Sequence, residues 1–340
     1  MKGSLIALDQ VDGRRAAARL IDGRLDDLLI APLNDALPAP GTIFRAITDR
    51  PMKGQGGLML RLPDKQRGFL RSAKVLGQGA PVLVQVTGYA EPGKAVPVTT
   101  KLLFKGRHAI LTPGAPGINL SRKIRDEELR DRLLLAVCDI DLQGAGLILR
   151  SGAATADEHD IADETAQLAD LAQAVLGDAT GANPERLLDG SDAHELAWRD
   201  WGEPDQQDTA PGAFARHGID DMIDALRAPL VELSGGATAW IEPTRALVAV
   251  DVNTAGDTSP AAGLKANIAL ARELPRQLRC RGLGGQITID FAPLAKRDRR
   301  QVEQALQSAF RADAIETALV GWTPLGHFEM QRKRERQPFQ

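Results

Sequence analysis

The sequence predicts a mixed α/β protein made of several subdomains, and three stretches of the chain carry this prediction. Residues 4–30 alternate short β-type runs with Asp-Gly turns, and residues 41–100 hold further short β runs separated by Gly, Pro and Lys. Residues 244–291 read as a strand, a helix and a second strand. The sequence therefore predicts both strands and helices, as in layered α/β folds.

The composition is that of an ordinary globular protein. With 340 residues, 43% hydrophobic and 26% charged, the chain is long enough for two or more domains. The formal net charge of −3 allows nucleic-acid binding only through local basic groups, such as the run at 331–337. Two cysteines outside any CxxC motif and five scattered histidines predict neither a disulfide framework nor a zinc or histidine cluster. We find no signal peptide or membrane-spanning run and expect a cytoplasmic protein.

The first hundred residues are predicted to be β structure. Asp12-Gly13 and Asp22-Gly23 suit the tight turns of hairpins, so residues 4–30 should form a three-stranded antiparallel meander. Residues 32–40 read as a linker bounded by prolines. The β runs from residue 41 to about residue 100 are short and closely spaced, which indicates a small barrel.

Residues 101–176 are predicted to hold further strands, a Gly/Pro-rich turn, a charged helix at 125–137 and a longer helix from about Ala156 to Leu176. Arg150 and Ser151 lie between a strand and the start of that longer helix. A guanidinium, a hydroxyl and backbone N–H groups placed there can bind a monophosphate. A plain capped turn is the alternative.

The segment 177–228 is rich in Gly, Pro and Asp and includes an irregular run at 202–213. Leu230 to Ile241 should form a hairpin that leads into the next strand. Beyond residue 297, apolar residues at helical spacing predict a helix at 298–312, and strands at 316–322 and 326–331 should complete a sheet.

Two β-type runs end on an aspartate and are joined by a helical stretch, ALVAVD at 246–251 and QITID at 286–290. Parallel strands joined by a right-handed crossover lie close together, so Asp251 and Asp290 should emerge at one sheet edge. On neighbouring strands the carboxylates would start ~5 Å apart, where bare anions repel by roughly 3 kcal/mol at an effective dielectric of about 20. Mg²⁺ would relieve this repulsion, and Asn253 could bond a metal-bound water or a phosphate. Solubilising acids at strand ends are the alternative.

The helix between these strands carries four cations on one stripe, namely Lys265, Arg272, Arg276 and Arg279. A polyanionic substrate would favour such a stripe near an acidic metal site. A solvated basic face is the alternative. Pro275 falls inside this helix and predicts a kink.

The runs EPTRALVAVDVNT, LKANIALARELPRQLRCRGLGGQITIDF and GHFEMQRKR closely resemble the catalytic domain of the ribonuclease E/G family. The resemblance implies a DNase I-like fold in which Asp251 and Asp290 hold the catalytic Mg²⁺, with Mn²⁺ as an option, and Asn253 assists them. The zinc-linking motif of the family does not follow in this sequence. We therefore expect no zinc, and any homo-oligomer would form without it.

The likeness extends more weakly through nearly the whole chain and implies a subdomain plan. The expected parts are RNase H-like strands at 1–35, an OB-fold RNA-binding barrel at 36–100, a 5′-phosphate-sensor region at 101–176, a shortened RNase H-like segment or linker at 177–233 and a DNase I-like catalytic domain at 234–340.

The resemblance also implies RNA-binding residues in the first part of the chain. Such barrels stack bases on aromatic side chains within a basic groove, which makes Phe69 the stacking candidate and Lys94 a phosphate contact. Core packing of Phe69 is the alternative, and Met59 replaces an aromatic residue of the family. The family carries Arg-Thr-Ala-Gly as its 5′-monophosphate sensor where this sequence has Arg150 and Ser151. Arg122 and Lys123 follow a turn as in the equivalent family segment.

These observations favour an Mg²⁺-dependent endoribonuclease that cuts single-stranded RNA and leaves 5′-phosphate and 3′-hydroxyl ends. One alternative is an RNA-binding relative with weak or lost nuclease activity. A small-molecule phosphohydrolase is a third possibility, because such an enzyme would need the metal site but neither the barrel nor the basic stripe.

Overall fold

A computed structural model describes residues 2–33, 37–52, 54, 56–71, 76–91, 93–257 and 259–338. The chain divides into two units. The terminal unit comprises the described residues up to Leu33 and from Pro204 onward, and the inserted unit comprises those between. None of the helices in these ranges has the length and apolar character that crossing a membrane requires.

The structure is mixed α/β, as predicted. Its strands are β1 (Ser4–Val11), β2 (Arg14–Ile21), β3 (Arg24–Ile30), β4 (Ile43–Met52), β5 (Gly57–Arg61), β6 (Arg67–Arg71), β7 (Pro81–Val86), β8 (Val96–Thr99), β9 (Phe104–Lys105), β10 (Ala109–Thr112), β11 (Gly117–Leu120), β12 (Gly146–Leu149), β13 (Glu185–Leu188), β14 (Gln206–Asp208), β15 (Leu230–Glu232), β16 (Thr238–Pro243), β17 (Val248–Asn253), β18 (Gly285–Asp290), β19 (Thr317–Trp322) and β20 (Phe328–Arg332). Its α-helices are α1 (Glu127–Val137), α2 (Glu158–Gly177), α3 (Ala193–Asp200), α4 (Ala213–Arg216), α5 (Ile219–Arg227), α6 (Pro260–Cys280) and α7 (Arg299–Ala312).

The first sheet of the terminal unit has the strand order β14-β1-β2-β3, and β1 to β3 form the predicted antiparallel meander. Asp12 and Gly13 at the first turn have φ of 51° and 74°, which the two central residues of a type I′ turn require. The sheet packs on α4 and α5 through buried side chains such as Phe214 and Ile223. The hairpin prediction is therefore confirmed.

The inserted unit contains a closed barrel of five strands, in the order β4-β5-β6-β8-β7 with β7 returning to β4. Alternate side chains such as Phe44, Leu60 and Val84 fill the barrel core. The predicted barrel is confirmed, and its closure is consistent with an OB-fold. A second sheet, β11-β12-β10-β9, packs against α1 and α2.

The irregular run predicted at 202–213 contains a strand, and helices lie on both sides of it. Strand β14 pairs in parallel with β1. Helix α3 begins with a capping box, in which the Asp192 carboxylate accepts from Glu195 N–H and the Glu195 carboxylate accepts from Asp192 N–H. Gly212 and Gly218 adopt left-handed conformations at the starts of α4 and α5. The glycines that suggested irregular chain therefore mark helix starts.

The second sheet of the terminal unit has six strands in the order β15-β16-β17-β18-β20-β19. Strands β17 and β18 are parallel neighbours joined by α6, so the predicted strand–helix–strand unit is confirmed. Helix α6 continues through Pro275 to Cys280. Both α6 and α7 contribute to the core on one face of this sheet, through side chains such as Leu270, Leu274 and Leu306.

A network of ion pairs links α6, β3 and the end of the chain within the terminal unit. Asp313, whose side chain has no solvent exposure, pairs with both Arg279 and Arg332. Asp27 on β3 pairs with Arg336 and lies near Arg279. Burial alone would raise the pKa of Asp27, but Arg336 and Arg279 hold it below its ordinary value. The Asp27 carboxylate therefore stays charged, and the ion pairs of Asp27 and Asp313 hold α6 in place.

Candidate functional site

A row of side chains crosses three neighbouring strands on the open face of the six-stranded sheet and continues to the residue that precedes β20. The strand register pairs Trp240 on β16 with Asp251 on β17, and Asp251 with Asp290 on β18. The next step of the antiparallel β18–β20 register brings His327 beside Asp290, with Nε2 3.8 Å from Oδ1. We call these four residues the polar row.

Strand alternation explains why the polar row faces solvent. Val250, Val252 and Ile289 point into the core beneath α6 and α7, so Asp251 and Asp290 point to the opposite face. Both aspartates are exposed. The strand register therefore confirms the prediction that the two aspartates meet on neighbouring strands.

Asn253 lies on the same face of β17, two residues beyond Asp251. Its Nδ2 donates a hydrogen bond to Asp251 Oδ2 over 2.6 Å. An amide donor fixes the rotation of the carboxylate that accepts from it. In this structure Asn253 therefore orients Asp251, a role compatible with the assistance that the sequence resemblance implied.

The turn that follows Asp290 is held by a buried polar side chain of α6 that sequence reasoning missed. Asn267 donates from Nδ2 to Ala292 O and accepts from Ala292 N at Oδ1, both over 3.0 Å. Asn267 has no exposed surface. A lone asparagine among the apolar residues of an amphipathic helix was the available signal, because a buried amide needs partners. The two bonds hold the carboxyl end of β18 in place.

The donor set of the polar row suits a hard divalent cation. Within the described ranges, no three His, Cys, Asp or Glu side chains are grouped so that they could hold a metal ion. A cation here would therefore depend on Asp251, Asp290 and water. Mg²⁺ is usually bound by one or two carboxylates and retains several waters, so these two residues fit it.

The structure separates the four cations predicted to form one stripe on α6. Lys265 and Arg272 are exposed. Arg276 binds the Glu273 carboxylate and donates to Leu25 O over 2.6 Å. The buried Arg279 binds Asp313, as described above. Two of the four guanidinium or ammonium groups are thus committed to protein partners, and Lys265 and Arg272 are the candidates that solvent reaches.

Arg150 lies where the sequence placed it, directly after β12, but its guanidinium already has protein partners. Nη1 donates to Gly106 O over 2.6 Å and to Arg199 O over 3.2 Å, and Nη2 donates to Asp200 Oδ1 over 2.8 Å. Burial alone would raise the pKa of Asp200, but Arg199 and Arg150 hold it below its ordinary value. Ser151 is exposed beside this pair. Sequence reasoning missed Asp200, since it lies 50 residues further along the chain.

Phe69 lies on the outer face of the barrel and is absent from its core. Its ring covers Gly57, where a Cβ atom would collide with Cε2 and Cζ, and Met59 is its cross-strand neighbour. Arg61 and Arg67 pair directly opposite each other on the same outer face. We call the five residues Met59, Arg61, Arg67, Phe69 and Arg71 the barrel patch.

The barrel patch joins an aromatic ring to like charges that repel each other. Opposed arginines on neighbouring strands destabilise a sheet, and a bound phosphate would offset that cost. The alternation in RGFLR at 67–71 was the signal that could have identified Arg67 and Arg71. Lys94 pairs with Glu91 over 2.7 Å and remains exposed. Arg122 and Lys123 were predicted to follow a turn, and in the structure they are exposed within the turn after β11.

Comparison of the sequence with known proteins identifies a family for this chain. Residues 104–209 and 203–335 match the ribonuclease E/G family. Ribonuclease G of Salmonella typhimurium strain SL1344 is 29% identical over 317 residues, which cover 81% of this chain and 64% of the relative. Ribonuclease E of Nostoc sp. strain PCC 7120 is 28% identical over 378 residues, which cover 94% and 54%. Ribonuclease G of Escherichia coli strain K12 is 29% identical over 306 residues, which cover 78% and 62%.

The chain thus spans between 54% and 64% of the length of these three relatives. The family match includes the segments that carry Arg150, Asp251, Asn253 and Asp290. This chain belongs to the ribonuclease E/G family.

Proposed function

We propose that this chain is an endoribonuclease that cuts single-stranded RNA in RNA processing or decay and leaves 5′-phosphate and 3′-hydroxyl ends. The observation that carries the proposal is the register of Asp251 with Asp290 on parallel strands of an open sheet face. The names of the relatives support RNA as the substrate. The terminal unit would then combine the RNase H-like strands with the DNase I-like catalytic part.

The residues of the polar row have separate roles in this proposal. Asp251 and Asp290 would hold Mg²⁺ or Mn²⁺, which when bound supplies an activated water and neutralises charge on the scissile phosphate. Asn253 keeps the Asp251 carboxylate in one orientation through its 2.6 Å hydrogen bond. Loss of that bond would leave the carboxylate free to rotate.

The test of this function is incubation with an end-labelled single-stranded oligoribonucleotide, with Mg²⁺ and with EDTA. Internal cutting that requires Mg²⁺ supports the proposal. Tight binding without cutting would indicate an RNA-binding relative instead. Hydrolysis of bis-p-nitrophenyl phosphate with no cutting of RNA would indicate a phosphohydrolase of small molecules.

The barrel patch is the proposed first contact with single-stranded RNA. Arg61 and Arg67 would contact phosphates and Phe69 would stack on a base. We expect the double variant Arg61→Ala/Arg67→Ala to bind RNA more weakly and to lower the slope of log affinity against log salt by about 1.4, since each contact with a single strand contributes about 0.7. Fluorescence anisotropy with a labelled oligoribonucleotide at several salt concentrations measures this slope.

The matched control for the barrel patch removes two exposed arginines elsewhere on the chain. The double variant Arg132→Ala/Arg297→Ala loses the same charge, and both side chains are well exposed. Its salt slope should remain that of the wild type. An equal change in both double variants would mean that overall charge, and not the barrel patch, governs binding.

Recognition of the RNA 5′ end by Arg150 and Ser151 forms the second part of the proposed RNA contact. A terminal monophosphate offers more charge and acceptor oxygens than an internal phosphodiester, and charge-assisted hydrogen bonds contribute about 1.5–3 kcal/mol each. We expect 5′-monophosphate RNA to be cut on the order of tenfold faster than 5′-hydroxyl RNA. Arg150→Ala should abolish this preference and leave cutting of 5′-hydroxyl RNA nearly unchanged.

A substitution of Asp200 tests this prediction more directly, because the Asp200 carboxylate forms an ion pair with the Arg150 guanidinium. Asp200→Asn removes a competing anion, so it should increase the preference for 5′-monophosphate RNA. Cleavage rates on one oligonucleotide with either 5′ end measure the effect in each variant. Equal rates for both ends in the wild type and in Asp200→Asn would contradict a sensing role.

A further inference from the structure

Trp240 is a large aromatic side chain left open to solvent inside the polar row. Its exposed fraction is 41%, although its neighbours Ala239 and Ile241 on β16 are buried. Leu230, its partner on β15, is exposed to the same extent. Trp240 and Leu230 thus form a small exposed apolar surface beside the two aspartates, and the indole combines a flat apolar face with an N–H donor.

The position of Trp240 relative to the acids identifies the kind of partner. Residues directly opposite on antiparallel strands have Cβ atoms about 5 Å apart, so the indole lies one strand away from Asp251 and two strands away from Asp290. A nucleotide strand presents a phosphate and a flat base within a short distance of each other. With the phosphate at the acid pair, the base of a flanking nucleotide can reach the indole.

We propose that Trp240 is a stacking platform for the base next to the scissile phosphate. The inference rests on the proposed function, because it places that phosphate at Asp251 and Asp290. A protein partner that brings no cation to this face would bury both carboxylates without compensating charge, which is costly. A nucleotide leaves the acids wet, and base stacking on an aromatic side chain tolerates all four bases.

The proposal makes Trp240 a binding residue with an effect on sequence preference. Purines offer a larger face to the indole than pyrimidines do, so sites with a purine at the stacked position should be cut more readily. We expect Trp240→Ala to raise KM by about tenfold, the lower part of the range seen for one stacked base. Trp240→Phe retains an aromatic face and should restore most of the loss.

The experiment uses the full chain and single-stranded oligoribonucleotides that carry one 2-aminopurine at successive positions. Emission of 2-aminopurine falls when the base stacks. It is recorded in Mg²⁺ immediately after mixing, before cleavage proceeds, because the acid pair without a cation would repel the scissile phosphate. Cleavage of the same strands is measured separately in Mg²⁺, as KM and kcat. Trp198→Ala is the matched control, since Trp198 is another exposed tryptophan outside the polar row.

The inference predicts that emission falls at one or two positions with the wild type, Trp240→Phe and Trp198→Ala, but not with Trp240→Ala. No fall with the wild type, or the same fall with Trp240→Ala, overturns it. A change of oligomeric state in Trp240→Ala with unchanged emission also overturns it and identifies a protein partner. A Trp240-dependent fall without any cutting in Mg²⁺ supports the stacking site and refutes the nuclease proposal, so the two failures can be told apart.

Discussion

Replacing Asp251 or Asp290 with Asn is expected to lower Mg²⁺-dependent RNA cleavage by at least on the order of a hundredfold. Asparagine keeps the size of aspartate but removes the negative charge that a hard cation requires. RNA binding should be largely retained, because the barrel patch belongs to a different part of the chain. Single-turnover cleavage and fluorescence anisotropy with the same oligoribonucleotide separate the two effects.

The chain offers a matched control for these variants on the same sheet face. Glu242 is an exposed acid on β16, two residues from Trp240, and the strand register pairs it with Ala249 and not with an acid. Glu242→Gln removes one negative charge and should cut RNA at the wild-type rate. Unchanged cleavage in Asp251→Asn or Asp290→Asn would refute the assignment of these two residues as metal ligands. An equal loss of cleavage in Glu242→Gln would show that the effect comes from negative charge in general.

The second large effect expected is on stability, from Asp313→Ala. The buried Asp313 carboxylate neutralises Arg279 and Arg332, and its Oδ2 lies 2.6 Å from Arg332 Nη1. Removal of one partner from a buried ion pair leaves an uncompensated charge and costs about 3–5 kcal/mol. Hydrogen exchange by mass spectrometry should report this loss as a lower free energy of opening in peptides of α6 and β20.

Two further variants make the stability prediction specific. Asp221→Ala removes an exposed aspartate of α5 and should change the opening free energy by less than about 0.5 kcal/mol. The double variant Asp313→Ala/Arg332→Met removes both partners and should recover part of the loss. An Asp313→Ala chain that exchanges like the wild type would show that the network does not hold α6.

Local signals allowed much of the terminal unit to be predicted from the sequence. The Asp-Gly turns specify the hairpins of β1 to β3 because their residues must adopt positive φ. The pairing of Asp251 with Asp290 follows from one helical crossover of short length. In both cases the strands concerned follow each other along the chain and are joined by a single turn or a single helix.

The partners that sequence reasoning missed come from distant segments. Arg276 and Arg279 were assigned to an RNA-facing stripe, but Leu25, Asp26 and Asp313 bind them from elsewhere in the chain. His327 and Trp240 join the polar row only through the register of β20 and β16, which no local pattern specifies. Helical spacing gives the direction of a side chain but not what lies opposite it.

The most direct test of the central claim is a titration with Mn²⁺ followed by electron paramagnetic resonance. Mn²⁺ prefers the same oxygen ligands as Mg²⁺ and reports its own binding without any cleavage. The wild type and Glu242→Gln should bind one ion with equal affinity, and Asp251→Asn and Asp290→Asn should each bind it at least about tenfold more weakly. Equal Mn²⁺ affinity in all four proteins would contradict a cation site at Asp251 and Asp290.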